Sequence, residues 1–379
     1  MQTRDQLRDE IEQSIEDDLT DEDLAELRRS DVAIKLLGLV PSDSSLLDSV
    51  ADLRSEGIAG YFDPTEETLF IITDDTYENL SFEEELTYAH EYVHALQHAE
   101  YDLVVLQEQT EDAAISSEAY DALIEGDATL TSIIWALEAR SDELNALFET
   151  ESGDDDTEEL ADIPDYLVRL FSFPYDEGVT FVGELFTAGG RSFDQIDDAY
   201  ANPPTTTEQI LHPEKYFIGE IGEVISLPSL TDALGPGWVS APLETRGEFD
   251  LRLWIEILAG ADVELSGIDA AAGWDGDAME IMEHEDGRIA VGGSISWDEG
   301  LDDNIEFIVS MIIALDLSST FIEVDSEASF TAYKNETGYL AFGVGADGES
   351  TVYAAAESLD DLRKLMFVLA PEPESMAEK

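Results

Sequence analysis

The sequence predicts an α+β protein with two domains: a mainly helical domain with a small β-sheet over residues 1–225, and an α+β domain over residues 226–379. Before residue 225, most apolar residues recur at the three- and four-residue spacing of amphipathic helices, and one short stretch changes to strand-like runs. After residue 226, runs typical of paired strands alternate with helical segments. Segregated helices and strands of this kind indicate the α+β class.

The first domain begins with predicted helices up to about residue 54, most clearly in DEDLAELRRSDVAIKLLGLV, which Pro41 interrupts. GIAGYFDPTEETLFIITDD follows, and its two apolar runs on either side of Pro64 predict a β-hairpin. Ser81 followed by Glu84 has the pattern of a capping box. We therefore expect a helix to begin just before YAHEYVHALQHAEYDL.

The remaining elements follow from the same patterns. A second long helix is predicted from Thr110 to about Arg140, and the acidic loop ESGDDDTEE comes after it. Helical segments continue through FPYDEGVTFVGELFTAGG to TTTEQILHPEKYF. In the second domain, helical FDLRLWIEILAG precedes MEIMEHEDGRIAVGGSISW, two strands about an Asp-Gly turn, and a helix over 299–315. FTAYKNETGYLAFGVG, STVYAAA and helical LDDLRKLMFVL suggest a second strand-strand-helix unit.

The composition predicts a folded protein with a strongly acidic surface. The chain has 89 acidic and 17 basic residues, a net charge of −72, and 44% apolar residues. The acidic residues are interleaved with periodic apolar ones, which argues against disorder. Molar salt shortens the screening length to about 3 Å and so removes most of the self-repulsion of such a surface. Since only five residues are lysine, the composition resembles that of proteins from salt-loving archaea.

Composition also argues against several kinds of partner and site. No basic stripe is present to neutralise phosphates, so nucleic acid is not an expected partner. Without cysteine, a metal site must use His, Asp or Glu. No apolar run approaches the length of about 18 residues needed to span a membrane, and the first residues lack the apolar core of a signal peptide. The sequence as written predicts a cytoplasmic protein; a secreted or cell-surface protein is the alternative if the true N-terminus lies upstream.

Three of the five histidines lie within nine positions, in YAHEYVHALQHAEYDL. Residues i and i+4 of a helix lie about 40° apart around its axis and about 6 Å apart along it, so His90 and His94 can bind one metal ion. Glu91 would lie beside a water molecule at such a site, which suits a general base. The alternative is an ordinary helix surface, but a capped amphipathic helix favours the metal site. The role of His98, one turn further on, stays open.

Two histidines leave a zinc ion short of a protein ligand, because catalytic zinc sites usually have three ligands and a water molecule. The following helix offers Glu118, Asp121 and Glu125 on one face, in SEAYDALIEGDATL. We favour Glu125, because Gly126 would let two helices approach closely around the ion. Asp121 is then a candidate for orienting a histidine, and Glu118 is the alternative ligand.

His212 is the second candidate catalytic residue. In TTTEQILHPEKYF it follows a short capped helix and precedes Pro213, and a helix end of this kind can direct a side chain into a cleft. There it could donate a hydrogen bond to a developing oxyanion. Lys215 and Tyr216 are weaker candidates for the same role. His284, in EHEDG, is predicted to be exposed at a turn.

These motifs resemble those of the gluzincin zinc metallopeptidases. HEYVH matches the HExxH motif that gives that family two zinc ligands and a general base, and EGDA is similar to the segment that gives it a glutamate ligand. GYFDP, HEYVHALQ, YDL, ALIEGDAT, PPTTTEQILHPEKY and, more faintly, AAGWDGD and WDEGLDDNIEF resemble a group of poorly characterised prokaryotic metallopeptidases. The resemblance covers patches between about residues 57 and 310. It implies a zincin-type fold, with His90, His94 and Glu125 as zinc ligands and Glu91 as the base.

The resemblance also implies that the edge strand TLFIITDD pairs with an extended substrate. The expected function is therefore zinc-dependent hydrolysis of a peptide bond, in a peptide or protein substrate, at high salt. Two alternatives remain open: a metal-dependent hydrolase that acts on another bond, and a catalytically idle metal-binding or surface module. The chain departs from its apparent relatives at His98, where they carry an acidic or amide residue, and its spacing to Glu125 is longer than in thermolysin-like enzymes.

Overall fold

The computed structural model describes residues 2–17, 19–73, 80–112, 116–150, 160–260, 265–327 and 329–371. Its helices are α1 Arg4–Asp17, α2 Asp21–Leu37, α3 Leu46–Gly57, α4 Phe82–Tyr101, α5 Leu103–Asp112, α6 Ser117–Ala139, α7 Ser141–Thr150, α8 Asp165–Ala188, α9 Asp194–Ala201, α10 Thr207–Leu211, α11 Pro213–Ile218, α12 Leu230–Leu234, α13 Gly247–Ala259, α14 Gly267–Ala271, α15 Leu301–Leu317 and α16 Leu359–Leu369. Its strands are β1 Gly60–Asp63, β2 Thr68–Ile71, β3 Trp238–Ser240, β4 Trp274–His284, β5 Ile289–Trp297, β6 Ile322–Ser326, β7 Phe330–Lys334, β8 Tyr339–Val344 and β9 Thr351–Ala356.

These elements confirm the predicted α+β class. The acidic loop predicted near residue 151 lies outside the described residues. Within the described part of the chain, no helix has both the length and the hydropathy needed to cross a membrane.

The chain forms two compact units. The first consists of Met1–Leu19 and Leu47–Glu220, and the second of Thr20–Leu46 and Ile221–Lys379. The change at residue 220 lies near the predicted boundary at 225, but the segment containing α2 differs from the prediction because it belongs to the second unit.

Burial explains the position of α2. Leu36 and Leu37 are fully buried against the sheet of the second unit, and the backbone carbonyl of Leu37 accepts a hydrogen bond of 2.8 Å from the indole of Trp254. The helix ends before Gly38, whose φ of 79° lies in the left-handed region, and therefore three residues before the predicted break at Pro41.

Helices α4, α6 and α8 form the centre of the first unit, and α6 packs along both of the others. The contact between α6 and α8 is unusually close. A Cβ atom on Gly126 of α6 would overlap the backbone carbonyl of Gly178 of α8, and one on Gly178 would overlap the carbonyl of Ala122. Only glycine fits at both positions. Gly126 was expected to let two helices approach closely around the ion; the structure shows a close approach there, but to α8, which carries none of the predicted ligands.

The predicted N-terminus of α4 is present. The hydroxyl of Ser81 accepts a hydrogen bond of 3.2 Å from the backbone amide of Glu84, and the Glu84 carboxylate accepts one of 2.7 Å from the amide of Ser81. The helix predicted from Thr110 to Arg140 is divided in the structure. The α5 helix ends at Asp112, and α6 begins after Ser116, whose hydroxyl caps it.

The predicted hairpin is the antiparallel pair β1 and β2, with Gly60 opposite Ile71 and Asp63 opposite Thr68. Its turn is stabilised by Asp63, whose carboxylate accepts hydrogen bonds from the next backbone amides at 2.8 and 3.0 Å. Both strands pack on α4, so the hairpin lies beside the helix that carries the HEYVH motif.

The second unit contains a seven-stranded antiparallel sheet in the order β3-β4-β5-β9-β8-β7-β6. Helices α12 and α16 cover one face through an apolar cluster that includes Val352, Ala354 and Leu365. Tyr353 alternates with these strand residues, and on the other face its ring lies 5.1 Å from that of Trp254 in α13. The predicted strand pair around Asp-Gly is β4 and β5, and the helix predicted over 299–315 is α15. The second predicted unit has three strands before its helix, and the exposed edge strand β6 was not predicted.

Candidate metal centre

His90 and His94 lie one turn apart on α4 and direct their Nε2 atoms to the same point, 3.1 Å from each other. Glu125, on the neighbouring helix α6, places Oε2 at 3.0 Å from Nε2 of His90 and at 3.3 Å from Nε2 of His94. The structure therefore brings together the two histidines and the glutamate that the sequence predicts as metal ligands.

These separations fit a zinc ion. Two ligand atoms that each lie about 2.0–2.1 Å from a tetrahedral zinc ion are about 3.3 Å apart. Imidazole nitrogen and carboxylate oxygen are both ordinary zinc ligands. The three side chains retain exposed fractions of 15%, 10% and 22%, so the point on which they converge is shielded but can be reached by water.

Glu125 and His94 stabilise each other's charged forms. Burial alone would raise the pKa of Glu125, but the adjacent histidines, His94 above all, lower it to about 2. Burial alone would lower the pKa of His94, but the Glu125 carboxylate, with help from Glu91, raises it to about 9. A proton on His94 therefore supplies positive charge that a bound metal cation can replace, so metal uptake and proton release are coupled.

Glu91 follows His90 on α4, and only 6% of it is exposed. Burial raises the pKa of its carboxyl, while His94, His90 and a hydrogen bond from the backbone amide of Phe62 act in the opposite direction. Phe62 belongs to β1, so the hairpin holds one side of this carboxylate. A buried carboxylate whose pKa is moved toward neutrality is suited to act as a general base.

The hairpin edge that faces this site is that of β1, whereas the sequence predicted the edge of β2. The outer edge of β2 is bonded to the N-terminal segment, because Gln2 donates to the carbonyl of Ile71 at 3.1 Å and accepts from the amide of Thr73 at 3.0 Å. The predicted pairing of TLFIITDD with substrate is therefore wrong at Ile71 and Thr73, where Gln2 occupies the edge. The last two residues of that stretch lie outside the described residues. The edge that reaches the candidate centre is that of β1, through the amide of Phe62 and the carboxylate of Glu91.

A cavity of about 450 Å³ opens beside His90 and Glu91. It is bounded by residues 57–60 and by parts of α4, α6, α7 and α8. Ile133, Leu144 and Phe171 give it an apolar wall, and hydroxyl side chains of α4, α6 and α8 contribute polar groups. On α6, Ile133 lies eight residues beyond Glu125, a distance of about 12 Å at the rise of an α-helix, so the apolar wall extends well beyond the candidate metal ligands.

Tyr175 of α8 lines the same cavity, and sequence reasoning missed it. Its ring centroid lies 6.0 Å from that of His90, and its hydroxyl is hydrogen bonded to Glu125. Burial and the nearby charges of Glu125 and Glu91 raise its pKa, so the phenol keeps its proton and remains a hydrogen-bond donor. The sequence FPYDEGV predicts only a helix at this place, because an aromatic residue at helical spacing normally indicates core packing.

The other two carboxylates predicted on this face of α6, Glu118 and Asp121, do not converge with His90 and His94. Glu118 accepts hydrogen bonds from the hydroxyls of Ser116 and Ser117, at 2.7 and 3.3 Å, at the start of α6. Partial removal from water, together with the charges of Glu125 and Glu118, raises the pKa of Asp121 to about 7. Within the described residues, Asp121 forms no hydrogen bond with either ligand histidine, so it does not take the orienting role considered for it.

The side chain that orients His94 is the buried amide of Gln97. The Nδ1 atom of His94 lies 2.8 Å from Oε1 of Gln97, one turn along α4. The amide nitrogen of Gln97 donates to the carbonyl of Ile124 at 3.0 Å and to Asp127 at 2.9 Å. Asp127 also accepts a hydrogen bond of 2.8 Å from the hydroxyl of Tyr200. Nothing in the sequence analysis singled out these polar side chains, although Gln97 ends the stretch HEYVHALQ.

His212 and its two neighbours have contacts elsewhere. His212 lies between α10 and α11, where its Nδ1 is 4.0 Å from a carboxylate oxygen of Glu214. Lys215 forms an ion pair of 2.6 Å with Glu208, and the Tyr216 hydroxyl donates to a backbone carbonyl at 2.9 Å. Among the described residues that wall the cavity, none of the three candidates is found.

The remaining histidines lie apart from this point. The ring of His98 packs near that of Phe62, with centroids 5.8 Å apart. His284 was predicted to be exposed, but only 15% of its side chain is exposed, so that prediction is wrong. Its ring packs near Trp238 and pairs with Asp286 at 2.8 Å, which explains the burial.

No family model, curated protein or solved structure matches this chain. The functional argument therefore depends on the chemistry and geometry of the site.

Proposed function

We propose that this protein is a zinc-dependent metallopeptidase of the HExxH type that acts at high salt. The observation that carries the proposal is the convergence of one atom each from His90, His94 and Glu125 at separations of 3.0 to 3.3 Å, with buried Glu91 beside them. A zinc ion held by these three residues would polarise the scissile carbonyl and lower the pKa of its water ligand.

Glu91 is the group that moves the proton in this proposal. Its buried carboxylate takes a proton from the attacking water and returns it to the leaving amine. The amide of Phe62 holds one side of the carboxylate, which leaves the other side for the water. No covalent intermediate is needed.

The β1 edge supports a peptide as the substrate. Alternate residues of an antiparallel pair direct their backbone groups to opposite sides. Since the carbonyl of Ala59 accepts a hydrogen bond of 2.9 Å from the amide of Ile72, Gly60 and Phe62 direct theirs away from β2. Because the Phe62 amide is bonded to Glu91, an extended peptide could pair with this edge through Gly60 and the carbonyl of Phe62, and put an apolar side chain against the wall that includes Leu144.

Tyr175 is our candidate for stabilising the developing oxyanion, in place of His212. Removal of one such donor costs about 10²–10³ in kcat. The Tyr175 hydroxyl is hydrogen bonded to Glu125, and its one proton would have to turn to the oxyanion when Glu125 binds zinc. Tyr175→Phe is expected to lower kcat to that degree and to retain zinc at saturating concentration, because Tyr175 is not one of the three converging ligands. Steady-state kinetics in molar KCl with zinc analysis would measure this. His212→Gln is the comparison: loss of kcat in that variant, with Tyr175→Phe unaffected, would reverse the assignment.

The decisive experiment for the proposed function combines metal analysis with digestion. Protein purified in molar KCl is expected to contain one zinc ion per chain and to cleave an unstructured polypeptide. A chelator should remove both zinc and activity, and added zinc should restore both. Zinc binding without cleavage of any member of a peptide library would contradict the peptidase and favour another hydrolase or an idle metal-binding module. Failure to bind zinc would overturn the site itself.

A further inference from the structure

We infer that Gln97 and Asp127 act as positioning residues that determine which nitrogen of His94 is free to bind a metal ion. This inference rests on the proposed function. The three side chains form a chain of hydrogen bonds, His94 to Gln97 to Asp127, which we call the amide relay.

The first step is the orientation of the Gln97 amide. Its NH₂ group lies 3.0 Å from the carbonyl oxygen of Ile124 and 2.9 Å from a carboxylate oxygen of Asp127. A carbonyl oxygen and an ionised carboxylate only accept hydrogen bonds. Reversal of the amide would place its oxygen against two other acceptors, so Gln97 is held in one orientation.

The second step is the tautomer of His94. Because the NH₂ group of Gln97 is committed to Ile124 and Asp127, its Oε1 faces Nδ1 of His94 at 2.8 Å. An amide oxygen cannot donate, so the proton must be on Nδ1. A neutral imidazole carries one N–H, and therefore Nε2 presents its lone pair toward Glu125 and the candidate metal position.

The third step explains why residue 127 is an aspartate. Burial of a carboxylate is costly, and Asp127 is only 7% exposed. It accepts hydrogen bonds from Gln97, from Tyr200 at 2.8 Å and from Thr131 at 3.3 Å. An asparagine could turn its own NH₂ group toward Gln97 and so reverse the whole relay. In its ionised form, which these three hydrogen bonds stabilise, the carboxylate prevents this, because it has no proton to donate.

A purely structural role is the alternative, since the same hydrogen bonds join α4, α6 and α9. The two roles differ in what they predict for His94. Hydrogen bonds that only join the helices would affect the free energy of unfolding. The amide relay would also determine the protonation of Nδ1 and the zinc affinity of the folded protein.

The test compares Asp127→Asn, Gln97→Met and the double substitution Gln97→Glu with Asp127→Asn. Gln97→Met removes the acceptor at Nδ1 of His94, and Asp127→Asn leaves only the Ile124 carbonyl to hold the Gln97 amide in its orientation. We expect zinc affinity to fall about 10- to 100-fold in the first variant and toward the lower end of that range in the second. In the double variant, the new carboxylate at position 97 accepts from both His94 and the new amide at position 127, although the Ile124 carbonyl loses its donor. We therefore expect it to recover part of the affinity lost by Asp127→Asn.

Two readouts in molar KCl are needed. Zinc affinity is measured by competition with a chelator. Nitrogen-15 NMR of histidine-labelled protein reports the hydrogen bond at Nδ1 of His94 when zinc is bound, and which nitrogen of His94 carries the proton in metal-free protein at a pH where the imidazole is neutral. Thr131→Val is the matched control, because it removes a hydrogen bond to Asp127 and leaves the relay intact. Its affinity should stay within about twofold of that of the unmodified protein, and its His94 spectrum should not change.

The outcomes separate the relay from the proposed function. Zinc binding by the unmodified protein, with no difference in affinity or spectrum among the folded variants, would overturn the relay and leave the metal site intact. Equal losses in Asp127→Asn and in the double variant would overturn it as well. If the unmodified protein bound no zinc, the proposed function would fail. The spectrum of the metal-free protein at a pH where the imidazole is neutral would still decide the relay, which is wrong if the proton is on Nε2.

Discussion

Glu91→Gln is expected to abolish measurable peptide hydrolysis while the zinc content stays the same. Glutamine has nearly the same size, and its carbonyl can still accept the hydrogen bond from Phe62, but it cannot take a proton at neutral pH. General base catalysis contributes about 10²–10⁴ to the rate, so kcat should fall by at least the upper part of that range. Because burial disfavours the charged form of Glu91, the neutral amide should not destabilise the fold.

The measurements are kcat on a defined peptide in molar KCl, zinc per chain and the midpoint of thermal unfolding. Glu118→Gln is the matched control, because Glu118 is a carboxylate bonded to serines at the start of α6. It should retain full activity. Hydrolysis by Glu91→Gln at the rate of the unmodified enzyme would show that Glu91 is not the base, even with zinc bound.

The sequence could predict those site residues whose proximity follows from their spacing along one helix. His90 and His94 are four residues apart on one helix, so the helical repeat alone brings their side chains together. Glu125 was harder, because an acidic helix offers several carboxylates on one face. What distinguishes Glu125 is the contact of its helix with α4 and α8, where Gly126 meets Gly178, and that contact depends on tertiary packing.

The residues that sequence reasoning missed become functional candidates only through nonlocal contacts. Tyr175 has the sequence context of a core aromatic, and only its position next to Glu125 distinguishes it. Gln97 and Asp127 are 30 positions apart and are ordinary polar residues until their side chains meet. The hairpin was predicted correctly, but the pairing of Gln2 with one of its edges depends on a segment about 70 residues away along the chain.

The fold of the first unit makes a second large effect predictable. Gly126→Ala is expected to destabilise the protein and to weaken zinc binding. The added methyl group would overlap the backbone carbonyl of Gly178, which cannot rotate away as a side chain could. Overpacking usually costs about 1–3 kcal/mol, and a clash with backbone should lie at the upper end of that range. Relief of the clash requires α6 and α8 to separate, which displaces Glu125 from His90 and His94.

Gly183→Ala provides a control on α8 itself. A Cβ atom there would have no neighbour within 4 Å, and alanine favours the helix by about 1 kcal/mol over glycine, so this variant should be more stable than the unmodified protein. Thermal unfolding in molar KCl would measure both effects, and chelator competition would measure zinc affinity. Equal stability of the two variants would contradict the close contact of α6 and α8. If Gly126→Ala were destabilised but bound zinc with unchanged affinity, Glu125 would not be held in place by this packing, and its role as the third ligand would lose its structural basis.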